Sequence, residues 1–184
     1  MGVKREGIAR EGIEGEGMKR EAIAREETAS AGPRDGLRPI RGHVAIYLGP
    51  GPGQRGRWTL VAEADNLFVN VGYQQIATFL AGAGTPKPAY IAVGDVASPT
   101  VAAADTALGH ETSRKAISSG GVVGGYTVRL GGYWMPAEAQ GSITEVGLFV
   151  SSVGGAMLAR AAVTTTKVNQ PMNVIWQLQL PIAG

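Results

Sequence analysis

The sequence predicts a mainly β protein: an antiparallel β-sandwich or barrel-like body with one short helix, preceded by an extended N-terminal arm. Three observations predict it. Short apolar runs recur from residue 43 onward, with turn signals roughly every 8–12 positions. The chain's 28 glycines and 10 prolines among 184 residues supply those turns without reaching collagen-like composition. The first 27 residues instead follow a period that suits neither an amphipathic helix nor a half-buried strand.

That period is five. Val3, Ile8, Ile13, Met18 and Ile23 are spaced five apart; Gly2, Gly7, Gly12 and Gly17 precede the first four, and Ala22 the fifth. Arg5, Arg10, Arg20 and Arg25 keep the same beat, and a Glu follows each. On a helix five residues advance a net of about 140°, which scatters the apolar side chains around the axis. On a strand an odd period sends them to alternate faces. Glu6–Arg10, Glu16–Arg20 and Glu21–Arg25 have helix-favouring i,i+4 spacing, but the four glycines oppose it at about 1 kcal/mol each. A solvated charged tail is one reading. The fixed spacing of the apolar residues favours the other: an arm (1–27) that orders on assembly, each apolar residue entering a pocket on a neighbour while the charges stay wet. Residues 28–42, with Pro33, Gly36 and Pro39, read as an extended linker.

The body (43–184) follows as β. Residues 43–48 and 58–62 flank the Gly49–Gly53 loop and read as a hairpin. Pro50 and Pro52 remove amides that a phosphate-binding loop would donate, and no Lys-Ser/Thr follows. Residues 65–70 read as a further strand. The spacing of Val71, Ile76, Phe79 and Leu80 predicts a helix over 71–81, stopped at Gly82. Residues 89–93 form a buried strand, 98–108 an extended surface loop, and 114–118 a weak strand. A strand is expected over 121–130, continuing at 133–135. Residues 142–150 and 156–163 make a hairpin about the turn 151–155, the second run holding apolar Met157 and Leu158 and polar Arg160. In 172–180, Val174, Trp176, Leu178 and Leu180 alternate with Asn173, Gln177 and Gln179, the pattern of a strand with one wet face. Trp58 and Trp176 are expected in the core.

Composition excludes several chemistries. There is no Cys, so disulfides, thiolate metal sites and cysteine nucleophiles are absent, and two His argue against a His-rich metal site. The formal charge is +2. Arg34, Arg38, Arg41, Arg55 and Arg57 form a modest basic segment with Asp35 as its one acid, a possible contact for an acidic protein patch but not a nucleic-acid footprint. No apolar run reaches the roughly 18–20 residues that span a bilayer. His110 and Glu111 with Asp105 and Ser113 read as surface loop rather than an acid/base set. Glu63 and Asp65 share a strand face but supply too few oxygens for calcium. Tyr133 and Trp134 are a candidate ligand platform, with core packing as the commoner fate of such aromatics. No enzyme activity, cofactor or metal is expected.

The ordered series Asn66-Leu-Phe-Val-Asn-Val-Gly-Tyr73, Tyr90-Ile-Ala-Val-Gly-Asp95, Ala104-Asp-Thr-Ala-Leu-Gly109, Gly141-Ser-Ile-Thr-Glu-Val-Gly-Leu-Phe149 and Ala156-Met-Leu-Ala-Arg-Ala161 resembles a recurrent domain of tailed-bacteriophage virion proteins of the tail-fibre-like, minor structural and capsid-decorating kind. The resemblance covers about residues 43–184. It departs from the family at Asp95-Val-Ala-Ser-Pro99, where relatives are richer in Thr and Gly. It implies a structural role in a virion assembled in the host cytoplasm, self-association, usually as a trimer, and capsid or tail proteins as partners, with neither nucleic acid nor membrane. The alternative is a tail-associated module that binds host-surface glycan.

Overall fold

The computed structural model describes residues 39–84 and 87–181. Arm 1–27 and linker residues 28–38, with Arg34 and Arg38, lie outside the described residues. Nine strands and one helix form among those described: β1 (Arg41–Leu48), β2 (Thr59–Phe68), α1 (Asn70–Leu80), β3 (Tyr90–Gly94), β4 (Glu111–Ala116), β5 (Ser119–Val123), β6 (Thr127–Trp134), β7 (Gly141–Phe149), β8 (Met157–Lys167) and β9 (Met172–Gln179). The first strand starts two residues inside the segment read as linker.

The strands make one antiparallel sheet in the order β4-β3-β7-β8-β2-β1-β9-β6-β5, curled into a half-barrel. β2 is the hinge of the curl. Gly42 to Leu48 of β1 pair with its residues up to Asn66, while Leu67 and Phe68 pair with Arg160 and Ala159 of β8. The two outermost strands, β4 and β5, are consecutive in the chain and separated only by Ile117 and Ser118. The Ile117 amide donates to Ala89 O beside β3, and the Ser118 amide to Gly131 O on β6, both at 2.8 Å. Two residues thus carry the chain from one rim of the sheet to the other.

Period-two alternation places Val44, Ile46, Leu130, Trp134, Val146, Leu148, Val174 and Trp176 inside the curl. Each such side chain contributes roughly 1.5–3 kcal/mol by leaving water. Trp134 spans the seam, and its indole Nε1 donates to Ser113 Oγ on β4 at 2.9 Å. A second cluster, Val69, Ala92, Leu108, Phe149 and Met157, lies on the outer face of the β3-β7-β8 half. The loop between β3 and β4 roofs it. Helix α1 docks beside it at Gly72, where an added Cβ would stand 2.3 Å from Leu158 O.

Five expectations need correction. Glu111 and Ser113, read as surface loop, belong with the weak strand at 114–118 to one strand, β4, which ends at Ala116. The runs at 58–62 and 65–70 are one ten-residue strand, β2. The run 121–130 is a hairpin, because Gly124 and Gly125, at φ 67 and 83, turn the chain between β5 and β6. Trp58 stands one residue before β2 and is 43% exposed, so it is not core, whereas Trp176 is fully buried. Trp134, half of the suggested ligand platform, is also fully buried.

Candidate functional site

The polar groups that the fold gathers most tightly are Arg160, Glu145 and Asp105. Arg160 on β8 and Glu145 on β7 lie near each other on the outer face of the hairpin, where Gly147 pairs with Arg160 and Glu145 with Ala162. Arg160 Nε and Nη2 donate to Glu145 Oε2 at 3.0 and 2.5 Å, and Nη1 to Asp105 Oδ2 at 2.7 Å and Thr100 O at 3.1 Å. The Glu145 carboxylate also accepts the Gly109 and His110 amides at 3.1 and 2.8 Å. Asp105 Oδ2 accepts the Ala102 amide at 2.9 Å. Burial opposes the charge on Arg160, and the bonds to Asp105 and Glu145 outweigh it, so its pKa is raised above an already high value. Every donor and acceptor is directed at the 95–110 roof or at its partner, so the cluster clamps the loop to the sheet.

Lys167, fully buried, works in the same way at the other end of β8. Its Nζ donates to the carbonyls of Met135, Pro136 and Glu138 at 3.1, 2.8 and 2.5 Å and ties down the β6–β7 turn. Burial pushes its pKa down, partly countered by the Glu138 charge. Glu138 itself is held below the usual carboxylate range by its bond from Lys115 at 2.5 Å and from the Met135 amide.

The residues singled out in sequence do not converge. Val3, Ile8, Ile13, Met18 and Ile23, with Arg5, Arg10, Arg20 and Arg25, lie outside the described residues. Arg41 opens β1 on the outer face of the sheet, beside Gln179. His110 pairs with Asp95, a contact that raises its pKa, while Asp105 turns to Arg160 and Ser113 to Trp134. No acid/base set forms from them. Glu63 and Asp65 flank His43, each at 3.4 Å. Among the described residues no group of three or more His, Asp or Glu is arranged to hold a metal ion.

The aromatic surface differs from the one expected. Neighbours on a strand face opposite ways, so Trp134 enters the core and only Tyr133 faces out, 42% exposed. Its outward partner is Trp58, edge-on with ring centroids 6.3 Å apart. Asn173, opposite Tyr133 in the β6–β9 register, continues this surface into a shallow groove lined by Ser119, Gly121, Arg129 and Ile175.

Comparison with known proteins adds no assignment: no family model, no curated protein and no solved structure matches this chain. No helix among the described residues is long and apolar enough to cross a membrane.

Proposed function

We propose that this chain is a non-enzymatic structural protein of a tailed-phage virion. It is a homo-oligomeric capsid-decoration or fibre-anchoring block, held on the particle by arm 1–27. The observation that carries the reading is the fixed five-residue spacing of Val3, Ile8, Ile13, Met18 and Ile23, with charge between them. Side chains so spaced cannot share one face of a helix or strand, and contact with a neighbouring surface gives each of them somewhere to go. The body supports the reading through its use of charge. Arg160, Glu145 and Lys167 lock loops in place and so stiffen a block. Trimeric assembly rests on the family resemblance alone. The test is deletion of residues 1–27, followed by purification of particles of the phage that encodes the chain. Loss of the truncated protein from particles, with its circular dichroism unchanged, is the expected result; normal loading refutes the reading.

One observation favours a second role, recognition of host-surface glycan. Trp58 and Tyr133 present exposed aromatic surface beside Asn173, and such surfaces stack on sugar rings. Binding on a cell-wall saccharide array that Trp58→Ala abolishes supports it, and an array with no signal dismisses it.

A further inference from the structure

We propose that β5 is a self-complementary edge, which pairs antiparallel with β5 of a second copy about a two-fold axis through Gly121. The inference deepens the homo-oligomer part of the reading above and rests on it, while its observations come from the body and not from arm 1–27.

The two rims of the sheet are treated differently. On β4, Glu111, Arg114 and Lys115 put both signs of charge on the rim. Arg114 bonds Glu111 through Nε and Nη2 at 2.9 and 2.5 Å, and its Nη1 reaches the carbonyls of Ser151 and Gly154, both at 2.8 Å. Charge and engaged side chains of this kind are how proteins discourage a foreign strand from adding to an edge. On β5 the sequence is Ser-Gly-Gly-Val-Val, with no charge and no proline, and all five residues are exposed. One side of β5 pairs with β6 along its whole length. Among the described residues the other side has no strand partner and presents a row of backbone N–H and C=O groups, with Val122 69% and Val123 52% exposed beside them.

The order of these five residues selects the partner. In an antiparallel self-pair centred on Gly121, Val122 lies opposite Gly120 of the second copy, and Val123 opposite Ser119. Each large side chain meets a small one. Gly120 is small for a reason inside its own copy, since an added Cβ would stand 3.0 Å from Leu130 Cδ2. The incoming Val122 therefore comes to rest beside Leu130 and extends the apolar interior across the dyad. At Gly121 an added Cβ would meet nothing within 4 Å, so the strand has open space where the axis passes. Glycine inside a strand often marks close approach by another backbone.

The experiment uses the full chain, which has no Cys of its own. Gly121→Cys places one thiol on the proposed axis. Directly opposed residues of an antiparallel pair have Cα atoms about 4.5–5.5 Å apart, within the range that a disulfide bridges. Under mild oxidation at micromolar concentration, Gly121→Cys is expected to form covalent dimers about tenfold faster than Val153→Cys, because the paired thiols sit at high effective concentration. Val153 is the control because it is 86% exposed on the turn after β7. Val122→Lys is expected to convert the dimer seen by sedimentation to single chains with an unchanged circular dichroism spectrum. Equal cross-linking rates, a wild-type chain that sediments as a monomer, or a stable trimer without 121–121 cross-links would each overturn the proposal. A monomeric body that still loads onto particles removes this pairing alone. A dimer that no longer needs residues 1–27 to load removes the anchoring arm alone.

Discussion

The two halves of the curled sheet share an interior and differ on their outer faces. The β3-β7-β8 half is roofed by the 95–110 loop, which brings a second apolar cluster and a buried ionic clamp. Among the described residues nothing roofs the β1-β9-β6-β5 half, where Tyr133, Trp58, Ile175, Gln177 and Arg129 face outward, and it ends in an uncharged edge. The contrast teaches where charge works in this fold. In the roofed half it clamps the loop from within, through Arg160, Glu145 and Asp105, and lines the β4 rim. On the other half the rim strand β5 carries no charge and is exposed along its length, which is why the pairing proposed above is placed there.

Breaking the roof should have the largest effect. Glu145 is fully buried and Arg160 is 6% exposed. Arg160→Ala leaves Glu145 as an unpaired buried carboxylate and is expected to cost about 3–5 kcal/mol, seen as a lower unfolding midpoint in urea. An equal loss from Arg129→Ala, on the bare half, would erase the contrast.

Two glycines on outer rows make a matched comparison of intermediate size. At Gly147 an added Cβ would stand 2.7 Å from the Phe149 ring and 3.0 Å from Leu108, inside the packed roof. Gly147→Ala is expected to cost about 1–3 kcal/mol by overpacking. At Gly121 there is open space, and Gly121→Ala is expected to be neutral or to stabilise the isolated body by up to about 0.5–1 kcal/mol. Thermal unfolding of the two variants, measured below the concentration at which copies associate, checks the pair. Smaller still is Trp58→Ala. Its ring is partly exposed and edge-packed on Tyr133, so a loss of about 0.5–1.5 kcal/mol is expected from the urea midpoint.

The smallest effect concerns pH. The hydrogen bond to Asp95 raises the His110 pKa above its ordinary value of 6.5. A group with a raised folded pKa stabilises the fold below its ordinary pKa, and that contribution fades as pH climbs through the raised value. His110 is exposed at the edge of the roof, so the change is local. Proton NMR titration is expected to find its midpoint above 6.5 in the wild type and closer to 6.5 in Asp95→Asn. Identical midpoints would remove the Asp95 contact from the account.

Where periodicity was clean, the sequence was a good guide. Val174, Trp176 and Leu178 alternate with polar residues, and β9 forms there with those three inside. The helix runs 70–80 against an expected 71–81, because Gly82 at φ 74 ends it. The burial of Arg160 was not legible in the sequence for a physical reason. Alternation on a hairpin tells which residues share a face, not which face is wet. The roof that buries Arg160 is a loop without period, so no local pattern announces it. The Tyr133–Trp134 pairing failed on the strand's own rule, since adjacent side chains point apart. The exposed partner, Trp58, is 75 positions away from Tyr133 in the chain and is brought near by the register Leu60–Tyr47–Asn173–Tyr133. That register depends on tertiary pairing that one sequence does not display.

The place of β1 in the sheet has a consequence for biosynthesis. Its neighbours are β2, which follows at once, and β9, which begins at Met172. At roughly 5–20 residues per second, on the order of ten seconds separate the emergence of β1 from that of β9. Through that interval β1 has one flank satisfied and the other bare, and Val44 and Ile46 lack the cover of Trp176. The ribosome must therefore deliver almost the whole body before its central seam can close, and any nascent chain stalled short of β9 is a sticky fragment for chaperones or proteases to handle.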